Sequence, residues 1–139
     1  IDDIWINESN ELIVVDYKST SKDGEIDLED DWKISYKRQM EVYQWLLRRL
    51  GFKVAKVGYF LYCNGKTDRE AFDGKIEFDI TILPYEGDDA WIERTIAKIK
   101  KCLESDDIPN TPDDCEFCGY AKARSSMAMI FDTQSNKII

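Results

Sequence analysis

The sequence predicts an α/β domain in which one mixed central sheet is flanked by helices. Three observations carry this expectation. Residues 54–63 are apolar on both faces and rich in β-branched and aromatic side chains, the composition of a central strand. In residues 32–50, Tyr36, Met40, Tyr43, Leu47 and Leu50 recur every three or four positions, the period of an amphipathic helix. Residues 76–83 alternate apolar and polar side chains, as a half-exposed strand does.

Residues 1–7 and 11–18 read as two strands joined by a turn at Glu8-Ser9-Asn10. Residues 19–31 are polar and acidic and read as an exposed loop, with Asp27-Leu28-Glu29-Asp30-Asp31 as a solvated run. The helix over 32–50 should close on Gly51, and Asn64-Gly65 should end the central strand. In the alternating strand, Ile76, Phe78, Ile80 and Ile82 are expected to face inward, with Glu77, Asp79 and Thr81 facing out. Gly87-Asp88-Asp89 starts a second helix over about residues 89–104, with Ile92, Ile96, Ile99 and Leu103 on its buried stripe. Lys98, Lys100 and Lys101 lie toward its C-terminus, where cations suit the helix dipole. Residues 106–114 hold two prolines and read as a linker, and residues 115–139 form a C-terminal segment whose structure the pattern leaves open. The order is strand, strand, helix, strand, strand, helix.

A chain of 139 residues is expected to form one domain with a substantial core. It opens on Ile1 inside what reads as the start of a strand, the pattern of a piece of a longer protein whose upstream part could complete the site. A net charge of −9 argues against broad, non-specific binding to nucleic acid, though not against an enzyme that acts on it through an acidic metal site. The absence of histidine removes Ser-His triads and most catalytic zinc sites. No apolar stretch approaches a membrane span and no signal-peptide pattern is present, so no membrane partner is expected and a cytoplasmic location is the default. Cys63 and Cys102 lie in apolar patterns and read as buried thiols. Cys115 and Cys118 form a CxxC with no second CxxC and no histidine, which alone is a weak metal signal.

The apolar run Leu12-Ile13-Val14-Val15 is followed by Asp16-Tyr17-Lys18. Alternate strand residues share a face, so Asp16 and Lys18 should point the same way at one end of the sheet. Asp2-Asp3 lies one hairpin earlier. Carboxylates beside a lysine can hold a divalent cation and stabilise charge on a phosphate. Gln39 and Tyr43 are four apart and share a helix face. Taken singly, each of these reads as well in a plain structural sense: a surface ion pair, an exposed edge aspartate, a solvated glutamine, a core tyrosine.

Ile1-Asp2, then Val15-Asp16-Tyr17-Lys18-Ser19-Thr20, then Gln39-Met40-Glu41-Val42-Tyr43 resemble, in order, the motifs of the PD-(D/E)XK nuclease superfamily, and within it the RecB-type branch that includes CRISPR-associated exonucleases. The resemblance implies a restriction-endonuclease-like core and a metal-dependent nuclease, of exonuclease character, acting on DNA, single strands included. It implies Asp2, Asp16 and the Tyr17 carbonyl as ligands of Mg²⁺ or Mn²⁺, Lys18 as the catalytic lysine, and Gln39 and Tyr43 as helix residues near the site. Asp3 competes with Asp2, which is preferred because it follows the isoleucine in register. Some members of the branch carry an iron–sulfur cluster held by one early and three late cysteines. Arg124 stands roughly where the third late cysteine would fall, so no cluster is expected here. Two rivals stand beside this reading: a catalytically inactive module binding nucleic acid or protein on the same fold, and a small structural domain whose acid–lysine pair is only an ion pair.

Overall fold

The computed structural model describes residues 1–29, 33–68 and 74–135. Its elements are β1 (Asp3–Ile6), β2 (Leu12–Thr20), α1 (Ile34–Arg49), β3 (Val57–Gly65), β4 (Phe78–Glu86), α2 (Ile92–Leu103) and α3 (Glu116–Ser135). The strands form one sheet in the order β1-β2-β3-β4. β1 pairs with β2 antiparallel, β2 with β3 parallel and β3 with β4 antiparallel, which makes the sheet mixed, as expected. The parallel pair needs a crossover, and α1 supplies it. The chain divides into two compact units, Ile1–Ala97 and Lys98–Ile139. The first holds the sheet, α1 and the start of α2. The second holds the end of α2 and α3.

The core of the first unit lies between α1 and one face of the sheet. Val14, Phe60 and Tyr62 meet Met40 and Leu47 there, with Ile26 from the loop before α1. Gly58 lets the helix come this close: a Cβ at that position would stand 2.5 Å from Met40 Sδ and 3.0 Å from the Val14 carbonyl oxygen. α1 ends as its sequence asks. Gly51 has φ +90°, its N–H donates to Arg48 O and that of Phe52 to Leu47 O, a Schellman closure. Leu50, counted on the apolar stripe, is the C-cap residue and is exposed.

Four expectations are corrected. In β4 the facing is reversed: Phe78, Ile80 and Ile82 are exposed, as is Ile76 before the strand, while Leu83 and Tyr85 pack on the core. The register Gly58↔Tyr85, Phe60↔Leu83, Tyr62↔Thr81 puts Thr81, Leu83 and Tyr85 on the face that α1 covers. The loop over 19–31 is not wholly exposed, since Ile26 is buried and Leu28 packs against the core. Asp30 and Asp31 of its acidic run, and Trp32 at the expected helix start, lie outside the described residues. On α2 only Ile92 is buried, and Ile96, Ile99 and Leu103 are exposed. Cys102 is exposed and Cys63 half-buried, so neither is a fully buried thiol. The segment after residue 115, left open by the pattern, is a helix of 20 residues. No helix among the described residues is long and apolar enough to cross a membrane.

Candidate active site

Asp16 and Lys18 sit on β2 at the sheet face under α1. Asp16 is 2% exposed. The Lys18 ammonium forms an ion pair with Asp16 Oδ2, and no other donor meets that oxygen among the described residues. Lys18 Nζ also donates to Gln39 Oε1 at 3.2 Å and stands 4.4 Å from the centroid of the Tyr36 ring. Gln39 Nε2 in turn donates to the Tyr43 hydroxyl at 2.8 Å. Because an ammonium can only donate, it takes the oxygen end of the Gln39 amide, which leaves the NH₂ end for the Tyr43 hydroxyl. The arrangement is a relay from Tyr43 through Gln39 and Lys18 to a buried carboxylate. It joins α1 to β2 across the crossover.

Asp2 and Asp3 diverge. One step beyond the pairing Asp3↔Val15, Asp2 falls opposite Asp16. Its Oδ2 accepts the Tyr17 N–H at 2.7 Å, the group that a longer β1 would have bonded. Asp3 belongs to the other sheet face: it accepts from the Tyr17 hydroxyl at 2.7 Å and the Trp5 indole N–H at 3.0 Å. The Tyr17 bond, then the Ile4 N–H and the Trp5 indole, hold the Asp3 carboxyl below its usual range, and the same bond to Asp3 pushes the Tyr17 hydroxyl up. Five of the six residues singled out from the sequence, Asp2, Asp16, Tyr17, Lys18 and the Gln39 amide, thus meet through named bonds or strand register, and Tyr43 joins through Gln39.

Among the described residues no three acidic, histidine or cysteine side chains stand together to hold a metal. Asp16 and Asp2 occupy facing positions across the end of β1, and any further ligands would come from main-chain oxygen, water or phosphate. Such hard-oxygen sets suit Mg²⁺ or Mn²⁺, which keep several waters. Asp16 Oδ2, whose one partner among the described residues is the Lys18 ammonium, is the observation that fits a cation, because a metal ion can take the place of that ammonium on the oxygen.

Three neighbours escaped the sequence reading. Tyr36, expected on the apolar stripe of the helix, does pack against the core, and its ring also lies under Lys18; the spacing Tyr36, Gln39, Tyr43 on one helix stripe was the available signal. Tyr62, in register with Lys18, is 2% exposed, and its hydroxyl has no partner among the described residues. Burial pushes that hydroxyl's pKa up. Only the β2–β3 register reveals it. Lys33, also buried, donates to the Asp27 carbonyl at 2.6 Å and pins the loop that carries Ile26.

A family description of the PD-(D/E)XK nuclease superfamily matches residues 1–123. The chain belongs to that superfamily, whose members are phosphodiester-hydrolysing nucleases that typically use Mg²⁺ or Mn²⁺. The four-stranded mixed sheet with its helices agrees with the restriction-endonuclease-like fold of the group. No curated protein and no solved structure gave a match.

Proposed function

We propose that the chain is a Mg²⁺- or Mn²⁺-dependent DNA exonuclease of the RecB-like kind, with Asp2, Asp16 and the Tyr17 carbonyl as metal ligands and Lys18 as the catalytic lysine. The observation that carries this reading is the buried Asp16 carboxylate, paired with a lysine that a helix residue holds in place. A buried carboxylate is costly unless it is paired, and a metal ion can share Asp16 with the lysine that pairs it. The bound cation would supply Lewis acidity at the phosphate and make a water more acidic.

The chain's own residues do the rest. Gln39 and Tyr43 keep the Lys18 ammonium at the mouth of the site even when Asp16 Oδ2 is given to another ligand. Lys18 Nζ then donates to a non-bridging phosphate oxygen and stabilises the charge that grows there during attack. Tyr36 offers its ring face to the same ammonium and limits where it can swing. Asp2, tied to the Tyr17 N–H, fixes the end of β1 against β2.

One observation favours the rival of an inactive binding module: no third acidic side chain joins the pair among the described residues. Incubation with labelled single- and double-stranded DNA, with and without Mn²⁺, separates the two. Cleavage that requires Mn²⁺ and shortens strands from an end supports the exonuclease. Binding without cleavage at any metal concentration sinks it in favour of the module.

A further inference from the structure

A cavity of about 420 Å³ opens between α1 and the start of α2, lined by Ile34, Arg38, Glu41, Asp88, Trp91 and Thr95. That volume lies within the roughly 300–1,000 Å³ of pockets that hold small ligands. Ile34, Arg38 and Glu41 follow at four and three residues, so they form a stripe of α1 distinct from the Gln39–Tyr43 stripe.

Trp91 is the fixed wall. Its indole N–H donates to Glu41 Oε2 at 2.6 Å. Glu41 Oε1 accepts from the Tyr85 hydroxyl at 2.6 Å and from the Asp88 N–H at 3.2 Å. The indole cannot turn without breaking a bond to a buried carboxylate, so its orientation is set before any ligand arrives. One turn on, the Thr95 hydroxyl donates to the Trp91 carbonyl at 3.0 Å. The Arg38 guanidinium stands 5.9 Å from the centroid of the Trp91 ring, exposed and without an ion pair among the described residues.

We propose that this cavity is a subsite for an unstacked nucleobase of the substrate strand; the proposal rests on the nuclease reading above. A rigid indole beside a guanidinium is the combination that holds bases of single strands through stacking and cation–π attraction. The carboxylates of Asp88 and Glu41 in the wall oppose a phosphate, whereas a flat, uncharged base meets no such penalty. Arg38 immediately precedes Gln39, which touches Lys18, so the cavity and the Lys18 relay draw on consecutive residues of α1. Arg38 reaches substrate in this account and plays no part in the Lys18 relay.

The test is binding of fluorescein-labelled single strands by anisotropy, in EDTA so that nothing is cleaved. Two strands of equal length are used, one of deoxycytidine and one abasic. Arg49→Ala is the control, because Arg49 stands 5.9 Å from the Trp45 ring on the same helix but lines no part of this cavity. Arg38→Ala should weaken binding of the deoxycytidine strand by about fivefold or more. The abasic strand should bind parent and Arg38→Ala alike, and Arg49→Ala should stay within about twofold of the parent on both. An equal loss on the abasic strand overturns the base subsite in favour of a plain phosphate contact. No loss with Arg38→Ala, or the same loss with Arg49→Ala, also overturns it. A parent protein that binds neither strand overturns the nucleic-acid reading itself, and the subsite with it.

Discussion

Asp16 and Glu41 are both buried carboxylates of the sheet–helix unit, 2% and 7% exposed, yet their surroundings are opposite in kind. Glu41 is met by three neutral donors, from Tyr85, Asp88 and Trp91, shared between its two oxygens. Those bonds replace the water it lost, and they clamp α1 to β4 and to the start of α2. The Asp16 carboxylate has a single partner among the described residues, the ammonium of Lys18. A carboxylate that holds a fold together is satisfied in full, because each unmet lone pair costs free energy on burial. Asp16, in the middle of β2 with a lysine as its one partner, is the acid that the proposed site gives to a metal. The two residues thus set an acid bonded on both oxygens beside the acid that the proposed site uses, within the same unit.

The largest effect should come from Asp16→Asn. It keeps shape and removes charge, so single-turnover cleavage in Mn²⁺ should fall by about 10³-fold with the fold intact by circular dichroism. Cleavage at the parent rate in excess Mn²⁺ would remove Asp16 from the chemistry. Lys18→Ala should cost about 10²-fold in cleavage, with Mn²⁺ affinity by calorimetry little changed. An equal loss of metal binding would make Lys18 a structural partner of Asp16 instead.

Glu41→Gln should act on the other side of the comparison. It turns an amide N–H₂ toward groups that are already donors, and urea denaturation should show a loss of about 2 kcal/mol. Intact stability in this variant, with damaged stability in Asp16→Asn, would reverse the two roles. The smallest effect concerns pH. Burial, and then the bond to Glu41, push the Tyr85 hydroxyl's pKa above its ordinary 10.0. Below pH 10 the tyrosine is neutral in both states and adds no pH dependence. Above it the unfolded chain ionises first, so stability falls as pH rises, by roughly 1 kcal/mol per pH unit from this group. The difference between parent and Tyr85→Phe, measured from pH 9 to pH 11, isolates it from Tyr17 and Tyr62, whose hydroxyls shift the same way.

Periodicity made the strands and α1 legible, because β-branched runs and a 3.6-residue stripe are local signals. It also put Asp16 with Lys18 and Gln39 with Tyr43, since i,i+2 on a strand and i,i+4 on a helix are geometry without context. It could not decide which face of β4 meets the core. Both rows of that strand carry apolar side chains, and only the register with β3 selects Leu83 and Tyr85. Glu41 was equally hidden: it looked like an ordinary polar helix residue, and its partners lie 44 to 50 residues away. The Lys18–Gln39 contact lay between these cases, suggested by motif order but created by the parallel crossover.

That crossover also orders events in time. β1 with β2 forms a tight hairpin, and β3 with β4 pairs antiparallel across one loop, so each can assemble from neighbouring chain. The parallel seam between β2 and β3 must wait until residues 21–56, α1 included, have closed their long loop. Asp16 and Lys18 lie on that seam, and Gln39 arrives only with the helix. Until that seam closes, Asp16 and Lys18 have no Gln39 beside them, so the constellation around Lys18 is complete only in the fully folded unit.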